Sequence, residues 1–159
     1  MAKIEFAGMD EYLAKLKQIG NSTEGLCKRA LYDGAGVVAD AVRSEVQSLP
    51  TTDRNASKGE AQGILEYEKE GLLEGLGVAA MKVENGRVMT RIDFDGYNRL
   101  KSKRYPNGHP NSMVARAINS GTSKRPKNAF MARAVKAARA KAQAAMSARM
   151  DADINEIMK

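Results

Sequence analysis

The chain has 159 residues, a formal net charge of +7, one cysteine, one histidine, no tryptophan and only eight Phe and Tyr residues. One cysteine excludes an internal disulfide framework, and a lone His and Cys far apart all but exclude a zinc site. With no signal-like apolar core at the start and no run near the length of a membrane span, neither secretion by a signal peptide nor a membrane partner is expected.

The opening Lys3–Phe6 alternates polar and apolar residues and reads as a short edge strand. Met9, Leu13, Leu16 and Ile19 follow at helical spacing, and Gly20 is the natural stop of that helix. Asn21 with Glu24 three residues on resembles a capping box, so a second helix is expected from Ser22 to Gln47. Its stripe runs through Leu26, Ala30, Gly34, Val38, Val42 and Val46, with small residues that admit a close neighbour, and Pro50 ends it. Pro50–Gly63 is a polar loop of a length that is often functional or mobile.

Ile64–Leu76 is expected as a short helix. Gly77–Val83 and Arg87–Phe94 flank Asn85-Gly86, which marks a tight hairpin. Gly96–Asn111 is polar, basic and broken by Pro106, Gly108 and Pro110, so it reads as a second mobile loop. A short helix is expected over Ser112–Asn119, then a turn over Gly121–Pro126. Asn128–Ile157 reads as one alanine-rich helix, roughly 45 Å long at 1.5 Å per residue. Its weakly apolar face leaves residues 140–159 free to project into solvent or to dock on a neighbour. The order predicts a single α+β domain: a small antiparallel sheet with a central hairpin, packed against N-terminal helices and a long C-terminal helix.

The charge is unevenly placed. Residues 1–95 carry −4, residues 96–150 carry +13 with no acid at all, and residues 151–159 carry −2. Lys101, Lys103 and Arg104 cluster near Tyr97 and Tyr105; Lys124, Arg125 and Lys127 form the next group; Arg133 and Lys136 begin the last helix. Such side chains attract phosphates, and the tyrosines can stack on bases, so these eight cations are candidate partner or DNA contacts. They can equally pair with the acidic first part of the chain, in the same subunit or the next.

Catalytic chemistry finds little support. Cys27 reads as a small apolar helix residue, His109 sits in a polar loop, and Asp93 with Asp95 reads as a solvated strand end. Gly71, Gly75 and Gly77 lack the spacing of a phosphate loop, and Gly121-Thr122-Ser123-Lys124 fails the same pattern. Neither an enzyme nor a cofactor is expected.

Gly121-Thr122-Ser123-Lys124-Arg125-Pro126-Lys127-Asn128-Ala129-Phe130 resembles the phage tail-component family typified by gene product ten of phage Hong Kong ninety-seven. Gly8–Leu13, Gly71–Val78, Phe94–Asn98 and Val114–Ser120 are also similar to members, so the resemblance runs from about Ile4 to Ala138. Two places depart from it: Asn119 stands where an acid is usual, and Ala129 where a proline usually precedes the phenylalanine. The resemblance implies a non-enzymatic neck protein of a long-tailed phage or prophage, acting in tail completion or head–tail joining. It implies a ring of copies, six-fold in the virion, between a head connector and tail tube or terminator proteins, near the DNA end. Such a protein would be found in the host cytoplasm during assembly and then in the virion neck. It makes Gly121, Thr122, Ser123, Pro126 and Phe130 a structural motif that orients the last helix against the hairpin. A tail terminator and a free-standing nucleic-acid-binding module are the alternatives.

Overall fold

The computed structural model describes residues 9–52, 63–123 and 125–159, with the expected Lys3–Phe6 strand and most of the 50–63 loop lying outside them. The fold is α+β. Its elements are α1 (Met9–Ser48), α2 (Glu66–Gly75), β1 (Leu76–Val78), β2 (Lys82–Glu84), β3 (Arg87–Met89), β4 (Ile92–Phe94), α3 (Asn111–Ser120) and α4 (Phe130–Met158).

The two helices expected on either side of Gly20 are one helix of 40 residues. A glycine inside a helix costs about 1 kcal/mol relative to alanine, which one residue imposes and the flanking turns outweigh. Thr23 donates its hydroxyl to the carbonyls of Ile19 and Gly20 (3.0 and 2.9 Å), which holds the helix closed across the glycine. Asn21 is therefore an interior residue, and the capping box does not form.

Helix α4 runs antiparallel along α1, as the cross-contacts show: Glu45 meets Arg133, Gly34 meets Ala142 and Met146, Arg29 meets Asp153, and Lys15 reaches the Met158 carbonyl at 3.2 Å. The expected projection of residues 140–159 is thus replaced by docking on the chain's own α1. Alanines make this possible. Ala134, Ala138 and Ala142 are buried at successive turns, where larger side chains would hold the helices apart.

The hairpin forms where Asn85-Gly86 predicts it, with both residues at positive φ (51° and 72°) as a tight two-residue turn requires. It is split into two short antiparallel pairs. β2 and β3 pair at the tip with Val83 opposite Val88, and β1 and β4 pair at the base with Leu76 opposite Phe94. Between them the ladder continues only through Ala79 N–H to the Arg91 carbonyl (2.8 Å) and the Thr90 hydroxyl to the Ala79 carbonyl (2.7 Å).

The core sits at one end of the α1–α4 pair. Val42 and Val46 of α1, Leu49 just after it, Leu72 of α2, Leu76, Phe94, Val114 and Ile118 of α3, and Phe130 close around one another. The remaining length of α1 and α4 forms a thinner two-helix arm, packed on Leu26, Ala30 and Ala35.

Candidate interaction surface

The Gly121–Phe130 segment is the joint of the molecule. Gly121 takes φ +76°, and a Cβ there would meet the Lys127 backbone at 2.9 Å, so both conformation and space call for glycine. Thr122 and Arg125 exchange backbone hydrogen bonds (2.8 and 3.2 Å) around Ser123, closing the turn. Asn128 N–H then bonds the Ile118 carbonyl at 2.9 Å, which ties the segment back to α3. Phe130 is fully buried, with its ring edge-on to Phe94 at 6.2 Å, so the first turn of α4 is anchored against the hairpin base. Pro126 is exposed on the outside of the turn. Asn119 accepts the Met131 N–H at 3.3 Å and so satisfies one of the free donors at the start of α4.

The thirteen cations of residues 96–150 divide into two kinds. Four meet acids within the chain: Arg99 with Glu70 at 3.3 Å, Arg125 with Glu68 at 2.7 Å, Arg133 with Glu45 at 2.9 Å, and Arg149 with Asp153 at 3.3 Å. Arg125 and Arg133, expected as partner contacts, are thereby built into the fold. Lys124 lies outside the described residues. The other eight are Lys101, Lys103, Arg104, Arg116, Lys127, Lys136, Arg139 and Lys141; all are exposed, and none forms an ion pair among the described residues.

Lys101, Lys103 and Arg104 are presented by a closed turn. Ser102 and Tyr105 exchange backbone hydrogen bonds at 3.0 Å each, so Lys103 and Arg104 form its tip. Arg104 lies over the Tyr105 ring at 5.7 Å, and that ring packs on His109 at 4.8 Å. Two buried asparagines hold the loop to the helices. Asn98 Oδ1 accepts the N–H groups of Leu100 and His109 (3.0 and 3.1 Å), and Asn111 Nδ2 donates to the Asp95 carbonyl at 2.7 Å. Asn111 lies in the notch left by Gly71 and Gly75, whose missing side chains would strike it. Sequence reasoning missed this pair; the only signal was two glycines four apart on α2, facing nothing in the local sequence.

The remaining candidate groups do not converge. Cys27 lines an open cleft of about 460 Å³ between α1, α4 and the hairpin tip, beside Leu31, Val88, Met146 and Met150. His109 is stacked in the loop instead, and Asp93 pairs with Arg91 at 3.2 Å. Among the described residues no three His, Cys, Asp or Glu side chains group as metal ligands, and no helix is long and apolar enough to cross a membrane.

A second surface lies at the start of α1, where Leu13 and Leu16 belong to the apolar positions read at helical spacing. Tyr12, Leu13 and Leu16 are 50, 53 and 43 % exposed on the first turns of α1, just where α4 ends. Sequence periodicity identified Leu13 and Leu16, but not Tyr12 beside them. No family model, curated protein or solved structure matches the chain.

Proposed function

We propose that the chain is a non-enzymatic assembly subunit of a tailed phage or prophage, working in the neck in tail completion or head–tail joining. The observation that carries this reading is what folding leaves over. Eight exposed cations with no ion pair among the described residues, and an apolar stripe at the start of α1, are left outward, which suits a subunit set between unlike neighbours. The resemblance of Gly121–Phe130 to phage tail components supplies the setting, and that segment is the joint which positions α4, and with it Lys136, Arg139 and Lys141. On this reading the copies form a ring between the head connector and the tail tube or terminator, first in the host cytoplasm and then in the virion. The test is loss of the gene from the phage or prophage that encodes it. Filled heads and separate or incomplete tails are expected, restored by the gene in trans, and normal infectious virions would refute the proposal.

A second reading is favoured by one feature, the Lys101–Arg104 turn beside the 60 % exposed Tyr97. Cations on a fixed turn with an open ring suit a nucleic-acid backbone. In the neck, that contact would be with the DNA end.

A further inference from the structure

The first turns of α1 extend the seam that α4 covers further along. Lys15 Nζ on the Met158 carbonyl (3.2 Å) marks where the cover stops, and Tyr12, Leu13 and Leu16 continue beyond it, each about half exposed. Asp10 and Lys17 are exposed beside this stripe, and neither forms an ion pair among the described residues. Glu11 is already engaged with Lys15 at 3.3 Å.

We infer that this stripe docks on the same stripe of a second copy, with the two α1 helices antiparallel. The order of charges selects that arrangement. Acids at 10 and 11 precede the two leucines, Lys15 lies between them and Lys17 follows them. A parallel pairing carries the flank of Asp10 and Lys17 to opposite edges of the seam in the two copies, so these charges do not meet. An antiparallel pairing about a two-fold axis between Leu13 and Leu16 sets Leu13 on the partner's Leu16. It also brings the partner's Lys17 within two residue rises of Asp10, roughly 3 Å along the axis and well inside the reach of a lysine. Asp10 and Lys17 are seven residues apart, two helical turns, so they lie on one flank and meet across that axis twice. Antiparallel helices also oppose their dipoles.

The size of the patch sets the strength. Three half-exposed side chains offer on the order of 300 Å² per copy, judged from the ~150–250 Å² of a whole aromatic side chain. Stable complexes bury about 800 Å² per partner, so this contact is reversible: monomer when dilute, paired when concentrated. A two-fold contact does not close a ring, so it joins copies in a way that the neck reading does not require. Its failure and that of the neck reading are separate outcomes, one read by sedimentation and the other by virion production.

The experiment is sedimentation equilibrium of the full chain from micromolar to submillimolar concentration. A monomer–dimer equilibrium is expected, weakened about tenfold or more by Leu13→Asp or by Leu16→Asp. Lys17→Glu should weaken it about fivefold, and Asp10→Lys with Lys17→Glu should restore most of that loss, because the swap rebuilds both cross-pairs in reverse. The charge variants sit at exposed positions and keep the test decisive should an aspartate at 13 or 16 unfold the chain. A monomer at every concentration, association unchanged by the leucine variants, or a double swap no better than Lys17→Glu alone would each overturn the inference.

Discussion

Glu68 holds together two parts of the chain that sequence separates by 57 residues. Its carboxylate accepts the Leu65 N–H at 3.0 Å, closing the first turn of α2, and the Arg125 guanidinium at 2.7 Å, fixing the Gly121–Pro126 turn. Both side chains are largely shielded, at 12 and 22 % exposure, so the ion pair is screened less than a surface one. Glu68→Ala is expected to cost about 2–3 kcal/mol, since it orphans a helix donor and strands a largely shielded guanidinium. Glu68→Gln keeps an oxygen for Leu65 and should cost about half as much; urea unfolding of both variants checks the order. Gly75 is constrained more severely. A Cβ there would collide with the Asp95 carbonyl and stand 2.8 Å from Asn111 Nδ2, groups that have no room to move. Gly34 instead faces Met146, whose flexible side chain can swing away from 2.5 Å. Gly75→Ala should therefore cost about 3 kcal/mol, and Gly34→Ala about 1, read as unfolding midpoints at constant m-value.

Among the elements, the hairpin turn was legible because Asn-Gly carries its own conformational reason, and α2, α3 and α4 were legible from periodicity within about two residues. The continuity of α1 was not. Gly20 is a stop signal locally, and what overrides it is tertiary: the α4 end that reaches back as far as Lys15. The same partner explains why residues 140–159 do not project. Their alanine face is too weak to predict a docking site, yet it lets Asp153 enter the seam and meet Arg29 at 2.7 Å and Arg149 at 3.3 Å. The hydrogen bond from Arg29 holds the Asp153 carboxyl below its ordinary value, against the opposing effect of burial and with help from Arg149. Because the folded value is the lower one, this group stabilises the fold fully above the ordinary aspartate range near 3.9, and its contribution is lost as pH falls through the depressed value. Asp153→Asn should therefore lower the melting temperature at pH 6, with the difference from the parent shrinking below about pH 4. A constant difference across that range would show that the pair contributes through packing alone.

At the scale of the whole molecule, the +13 of residues 96–150 was visible in the sequence, but its division was not. Pairing depends on which acids the fold brings near, and Glu45, Glu68, Glu70 and Asp153 each reach a cation far away or one helical turn off. What remains is a set of eight exposed cations that form no ion pair among the described residues. A surface of this kind attracts any polyanion, and the strength of the attraction depends on salt through the counterions released. The full chain is expected to bind duplex DNA weakly and without sequence preference, with affinity falling steeply as salt rises. Replacing Lys101, Lys103 and Arg104 by Gln should flatten the logarithmic salt slope by up to about 3, at roughly 0.9 per phosphate contact removed. Replacing Arg125 and Arg133 should leave that slope nearly unchanged while lowering stability, because those two guanidiniums are spent on Glu68 and Glu45. Fluorescence anisotropy across a salt series, paired with thermal melts of the same variants, separates the two groups. If both sets of variants shift the slope equally, the internal pairs are not holding their arginines away from solvent anions, and the division of the basic stretch fails.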